Sequence, residues 1–169
     1  MDEISTLLER HIPALRRYAW ALVRDREAAD DLVQDCLERA VARWALRRRE
    51  GDLRAWLFAI LHNLFVDSFR RRRREGLRVE LDHAADIALP GSDQESSTGV
   101  RDILAALDRL PDDQRAVILL VGVEELSYGA AARVLGVPIG TVMSRLSRGR
   151  ERLRRLVEPA APPVLRRVK

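Results

Sequence analysis

The chain has 169 residues, is 47% hydrophobic and 33% charged, and carries a formal net charge of +4 at pH 7. That hydrophobic share supports real cores and excludes wholesale disorder, and the length allows one domain or two small ones. A single cysteine, Cys36, excludes an internal disulfide, and no apolar run approaches the roughly 18 residues that a membrane span needs. The opening segment, MDEISTLLERHIP, is acidic and lacks a signal-peptide core, so a cytoplasmic protein without membrane insertion is expected. Net charge is +3 over residues 1–75, −4 over 76–100 and +5 over 101–169. Two basic blocks around an acidic one suit two polyanion-facing modules and a linker. Leu, Ala, Arg and Glu dominate, which predicts an all-α protein of two small helical domains.

Ile4, Leu7, Leu8, Ile12, Leu15, Ala19, Leu22 and Val23 mark a first helical region, bent or broken near Pro13. Ala29, Leu32, Val33, Cys36, Leu37, Ala40, Val41 and Trp44 then recur at spacings of three and four, predicting an amphipathic helix over about 27–45. Its outer face carries Asp31, Gln34, Asp35 and Glu38; on spacing alone this is either a solvated face or a partner surface. Cys36 lies on the apolar stripe and reads as a small buried hydrophobe. Residues 45–52 read as a polar loop containing Arg47, Arg48 and Arg49. A long helix follows from Leu53 to about Arg73, with Trp56, Leu57, Ile60, Leu61, Leu64 and Phe65 inward. Trp56, Phe58, Phe65 and Phe69 are core residues by default; Phe58 falls off that stripe, so a surface aromatic is its alternative reading, and His62 reads as an ordinary surface histidine. The helix ends in five consecutive arginines, Arg70 to Arg74.

Residues 76–98 shift to an acidic, Ser- and Gly-containing composition with Pro90-Gly91, the pattern of a flexible linker. The second domain is expected over 99–157. Ile103, Leu104 and Leu107 open a helix that ends before Pro111, and Asp112 and Asp113 favour the first turn of the next. The stretch LSYGAAARVLGVPIGTVMSRLSRGRERLRRL, 126–156, then carries the signals of a helix-turn-helix. Ser127 can cap a helix through its hydroxyl, and Ala131 and Ala132 permit close helix approach. Gly136 suits a left-handed stop, and Pro138 suits the first turn of the next helix. Ile139, Val142, Leu146, Leu153 and Leu156 give that helix one apolar face. Thr141, Ser144, Ser147 and Arg148 fall opposite, flanked by Arg145 and Arg152. Short hydrogen-bonding side chains followed by arginines suit a helix whose first turns read base edges and whose later turns hold phosphate. Residues 158–169, with three prolines, read as a loose basic tail.

An enzyme is a poor fit. His11, His62 and His83 are far apart with no metal-ligand spacing, and there is no Walker loop, Gly-x-Ser-x-Gly or Cys-x-x-Cys. Neither a metal nor another cofactor is expected. A stand-alone helix-turn-helix repressor or activator is the alternative to the reading below, and would require a dimerisation surface; gel filtration separates the two.

Three segments resemble the extracytoplasmic-function sigma factors of bacterial RNA polymerase: AADDLVQDCLERA (28–40), LRAWLFAILHNLFVDSFRRRRR (53–74) and LPDDQRAVILLVGVEELSYGAAARVLGVPIGTVMSRLSRGRERLR (110–154). Their order and spacing also match, and the resemblance covers roughly 140 of the 169 residues. It implies a protein that binds core polymerase and directs promoter recognition, with an anti-sigma protein as a further partner. Asp31, Gln34, Asp35 and Glu38 would face a basic coiled coil of the polymerase clamp. The loop 46–52, including Arg47, Arg48 and Arg49, would capture a flipped −10 base beside Asn63, with Arg70 and Arg71 on phosphate. Gly140, Thr141, Ser144, Arg145 and Arg148 would meet the −35 element. Two departures stand out. Ala130 replaces a common Glu, which removes a surface contact. Gly149 replaces a common Ala, which costs the helix about 1 kcal/mol in propensity.

Overall fold

The structure, a computed structural model, describes residues 2–48, 51–76 and 97–158, and all regular structure among them is helical. Residues 77–96 of the expected linker, most of the tail and Arg49 lie outside the described residues; Ser97 and Thr98, expected in the linker, instead open a helix that runs to Asp108.

The first domain is built from α1 (Asp2–Glu9), α2 (Ile12–Val23), α3 (Arg26–Ala42) and α4 (Leu53–Arg74), with a 3-10 turn at Trp44–Leu46. Pro13 sits in the first turn of α2, where its missing N–H costs nothing, so the chain breaks after α1 rather than kinking. Asp25 Oδ1 accepts from the Ala28 N–H at 2.7 Å to start α3, and Asp52 Oδ1 accepts from the Ala55 N–H at 3.1 Å to start α4. Ala29, Leu32, Val33, Cys36 and Ala40 of the α3 stripe pack inward, with Cys36 fully buried beside the Leu57 carbonyl, whereas Val41, in the last turn, is 47% exposed because the neighbouring helices no longer cover the stripe there.

The second domain holds α5 (Ser97–Asp108), α6 (Asp112–Ile118), α7 (Tyr128–Leu135) and α8 (Ile139–Val157). Ser127 Oγ accepts from the Ala130 N–H at 3.1 Å, and Gly136 ends α7 at φ 64°. The α7–α8 corner is therefore the helix-turn-helix that its punctuation specifies. Between α6 and α7 runs one turn of π-helix, Leu119–Val123, closed by Glu124 N–H to the Leu119 carbonyl at 2.9 Å.

The two domains pack on each other: α7 lies against α4 as well as α8, and α6 against α2. Tertiary packing decides four positions that spacing within one helix leaves open or places at the surface. Phe58, off the main stripe, is fully buried because α4 is covered from two sides, which decides for the core reading over the surface one; its ring meets Tyr18 edge-on at 5.3 Å. His62 is drawn into the same core, sharing a 3.0 Å hydrogen bond with the Tyr18 hydroxyl. Ala130 is 3% exposed rather than a surface position, since α7 has neighbours on two faces. Gly149 is buried where α8 crosses α6: an added Cβ would lie 2.8 Å from Ile118 Cδ1. A further difference from expectation is local to α8, where Ile139 projects from the first turn and is 51% exposed, leaving Val142 and Leu146 to fill the core.

Candidate nucleic-acid interface

Three surfaces and one contact between the domains carry the chemistry. On α3, the 3.6-residue repeat places Asp31, Gln34, Asp35 and Glu38 on one exposed face, with Gln34 Nε2 donating to Glu38 Oε1 at 3.0 Å. Asp31 and Asp35 also edge a groove of about 600 Å³, whose opposite wall is Arg71, Arg72 and Arg73 of α4. The acidic face thus stops at a basic ridge rather than fading into neutral surface.

The loop before α4 is organised by Arg47. Its guanidinium lies 4.8 Å from the centre of the Trp44 ring and donates toward the Arg48 and Gly51 carbonyls at 3.3 and 3.4 Å. Trp44 in turn stacks edge-on with Trp56 at 6.3 Å. Arg47 is therefore a loop-positioning side chain, while Arg48 is exposed. Next to Trp44 and Arg47, Leu46 is 83% exposed. Asn63 is exposed on α4, as are Arg70 and Arg71 two turns on.

On α8, Gly140 and Arg148 are exposed and Thr141 and Ser144 half-buried. Ser144 Oγ donates to the Thr141 carbonyl at 3.1 Å, and Arg148 donates to both Ser144 oxygens at 3.3 Å. Arg145 is turned inward, pairing with Asp113 at 3.3 Å with its side chain 27% exposed. It also adds to burial in pushing the His62 imidazole down to about 4. Thr141, Ser144 and Arg148 thus form one polar strip, and Arg145 stands apart from it.

The contact between domains centres on a residue that sequence reasoning passed over. Glu124 is 1% exposed, and its carboxylate receives Arg17 Nε and Nη2 at 2.7 Å each and Arg54 Nη2 at 3.0 Å. The bond to Glu124 raises the Arg17 pKa. Arg24 pairs with Asp108 at 3.2 Å across the same boundary, and Arg115 reaches the Leu22 carbonyl at 3.5 Å. The available signal was a Glu-Glu pair immediately after an apolar run, which spacing reads as ordinary solvated turn. Among the described residues no cluster of His, Cys, Asp or Glu could hold a metal ion, and no helix is long and apolar enough to cross a membrane.

These features define a two-domain helical DNA-binding protein with a helix-turn-helix at its C-terminal end. Residues 8–62 match the family described as the Sigma2 domain of PhyR, and residues 101–153 match Sigma-70, region 4. The chain is 40% identical over 147 residues to the ECF RNA polymerase sigma factor EcfG of Rhodopseudomonas palustris, covering 86% of this chain and 80% of that protein. It is 34% identical over 151 residues to the sigma factor SigM of Mycobacterium tuberculosis, covering 89% and 75%. Among solved structures it is similar to the sigma factor RpoE bound to the anti-sigma factor NepR from Bartonella quintana (36% identity, TM-score 0.81, covering 95% of this chain and 100% of that one). The chain belongs to the extracytoplasmic-function sigma factors of bacterial RNA polymerase. It works as a sigma factor in promoter recognition and transcription initiation, which sets aside the stand-alone regulator.

Proposed function

We propose that residues 1–75 bind core polymerase and read and melt the −10 element, that 99–157 read the −35 element, and that 76–98 and 158–169 serve as linker and tail. Asp31, Gln34, Asp35 and Glu38 dock on the polymerase clamp. The supporting observation is their joint exposure on one face of α3. A negative face on a DNA-binding module repels DNA and accepts a positive protein patch. The loop 46–52 receives a flipped −10 base, Asn63 pairs with a base edge, and Arg48, Arg49, Arg70 and Arg71 hold phosphate, with Arg47 shaping the loop. Gly140, Thr141, Ser144, Arg145 and Arg148 meet the −35 element, Arg145 after leaving Asp113. An anti-sigma protein restrains the factor in the cell; the support is a similar structure that holds a sigma factor in complex with an anti-sigma factor.

Elements about 25 base pairs apart lie on the order of 85 Å apart along a duplex. Domains that touch each other cannot reach both, so the packed arrangement is the resting form and polymerase binding must separate it. Replacing Asp35 and Glu38 by Lys tests the docking face. Co-purification with core enzyme should be lost while helicity by circular dichroism is kept; undiminished binding would refute the face.

A further inference from the structure

The Glu124 contact has the geometry of an anion site whose occupant comes from the same chain. Arg17, in the middle of α2, and Arg54, in the first turn of α4, aim three N–H groups at one carboxylate, two of them in the fork arrangement that guanidinium offers to carboxylate and phosphate alike. Their side chains keep 52% and 37% of their surface in water, whereas Glu124 keeps 1%. The cations therefore belong to the surface of the first domain, and the carboxylate is what has been inserted. Arg54 Nε is buried without a hydrogen-bond partner, so one carboxylate does not exhaust the donors.

The backbone around Glu124 is built to present it. It follows the π-helical turn, and Glu125 holds φ at 54°, a left-handed conformation costly for a residue with a Cβ. Leu126 N–H then reaches back to the Leu120 carbonyl at 2.9 Å. Such strain persists only where surrounding structure demands it.

We infer that Arg17 and Arg54 form a phosphate-binding site of the first domain, that Glu124 fills it while the domains are packed, and that a backbone phosphate of single-stranded promoter DNA replaces the carboxylate when they separate. DNA is favoured over an acidic peptide by location. Arg54 lies just beyond the cap of α4, next to the loop 46–52 and on the helix that carries Asn63. Burial, and then the charges of Arg10 and Arg54 against the opposing charge of Asp52, lower the pKa of His11 at the edge of this region. Glu124 is on this account an internal competitor: it holds the domains together with the same groups that later hold the strand.

This inference rests on reading α4 as the −10 helix, and the test separates the two. The probe is a fluorescein-labelled single strand of about 12 nucleotides, within the span that single-strand binders cover, titrated by anisotropy into the full chain. Glu124→Gln should tighten binding several-fold and steepen the salt dependence by about 0.7 for each phosphate gained. Adding Arg17→Ala and Arg54→Ala to Glu124→Gln should cancel the gain; adding the charge-matched Arg26→Ala and Arg39→Ala should leave it. In a chain that keeps Arg17, Arg54 and Glu124 and carries dyes on Ala42→Cys and Glu158→Cys, the strand should lower energy transfer between the two domains, a readout that needs no change at the site itself. If the gain survives loss of Arg17 and Arg54, or only an acidic peptide displaces Glu124, the phosphate site is overturned. Sensitivity to Asn63→Ala without sensitivity to the arginines overturns this site and leaves the −10 reading. Insensitivity to all three overturns both.

Discussion

Arg17 and Glu124 are 107 residues apart in sequence and joined by two hydrogen bonds of 2.7 Å, one from each nitrogen of the guanidinium fork. The pair links two domains that would otherwise read as independent modules. Its loss should be asymmetric. Removing both Arg17 and Arg54 strands a buried carboxylate, which costs about 3 kcal/mol or more. Glu124→Gln leaves two cations that already reach water, and should cost less. Thermal melts followed by circular dichroism should rank the arginine double variant below Glu124→Gln; equal midpoints would mean that the carboxylate is not buried in solution.

His62 gives the packed form a pH dependence. Burial, and secondarily the Arg145 charge, push its imidazole from 6.5 down to about 4, and it faces Tyr18, whose hydroxyl burial pushes further up. Between those two values the unfolded chain binds a proton that the folded chain refuses. Stability therefore falls as pH drops from 6.5 toward 4, by up to about 3 kcal/mol for this group, and levels off below. Urea titrations at pH 7 and pH 4.5 should show the loss, and His62→Gln should remove most of its own share. A pH profile unchanged by the substitution would assign the dependence to other groups.

Gly149 should resist replacement by the better helix former. Alanine gains about 1 kcal/mol of propensity, but its Cβ would meet Ile118 Cδ1 at 2.8 Å and Gln114 Cβ at 3.3 Å. The clash should outweigh the gain, for a net loss of about 1 kcal/mol. Adding Ile118→Val removes the offending methyl and should recover it. A stabilised Gly149→Ala single variant would show that the helix crossing relaxes freely.

The same position shows what the sequence could carry. Spacing and punctuation made the helices legible: the α3 stripe, Ser127 and Gly136 around α7, and the acidic face of α3 all depend on residues within one or two turns of each other. His62 and Ala130 were misjudged, Phe58 was left open and the packing against Gly149 went unread, because burial at these positions depends on elements distant in sequence. A helix read in isolation has one apolar stripe; α4, lying between α3 and α7, has two. Glu124 was illegible for the same reason, since its partners lie 107 and 70 residues away. Arg145 showed the limit of facial arguments: it lies beside the exposed strip of α8, yet Asp113 turns it inward.

Melting should be separable from recruitment. Asn63→Ala should still form a closed promoter complex through the second domain but lose permanganate reactivity at −10 thymines. A template with a pre-melted −10 bubble should restore much of its activity, because unpairing costs a few kcal/mol that the bubble removes. Normal melting by the variant, or no rescue by the bubble, would make Asn63 a structural residue.

The separation of the packed domains on polymerase is the step on which the account depends. Dyes on Ala42→Cys and Glu158→Cys, both exposed, report it in the full chain. The native Cys36 is buried and its thiol is pushed up to about 12, so it does not compete for label. Energy transfer should be high in the free protein and fall sharply when core polymerase is added, with Glu124→Gln starting from a lower value. High transfer that persists in a polymerase complex able to open promoter DNA would contradict the account.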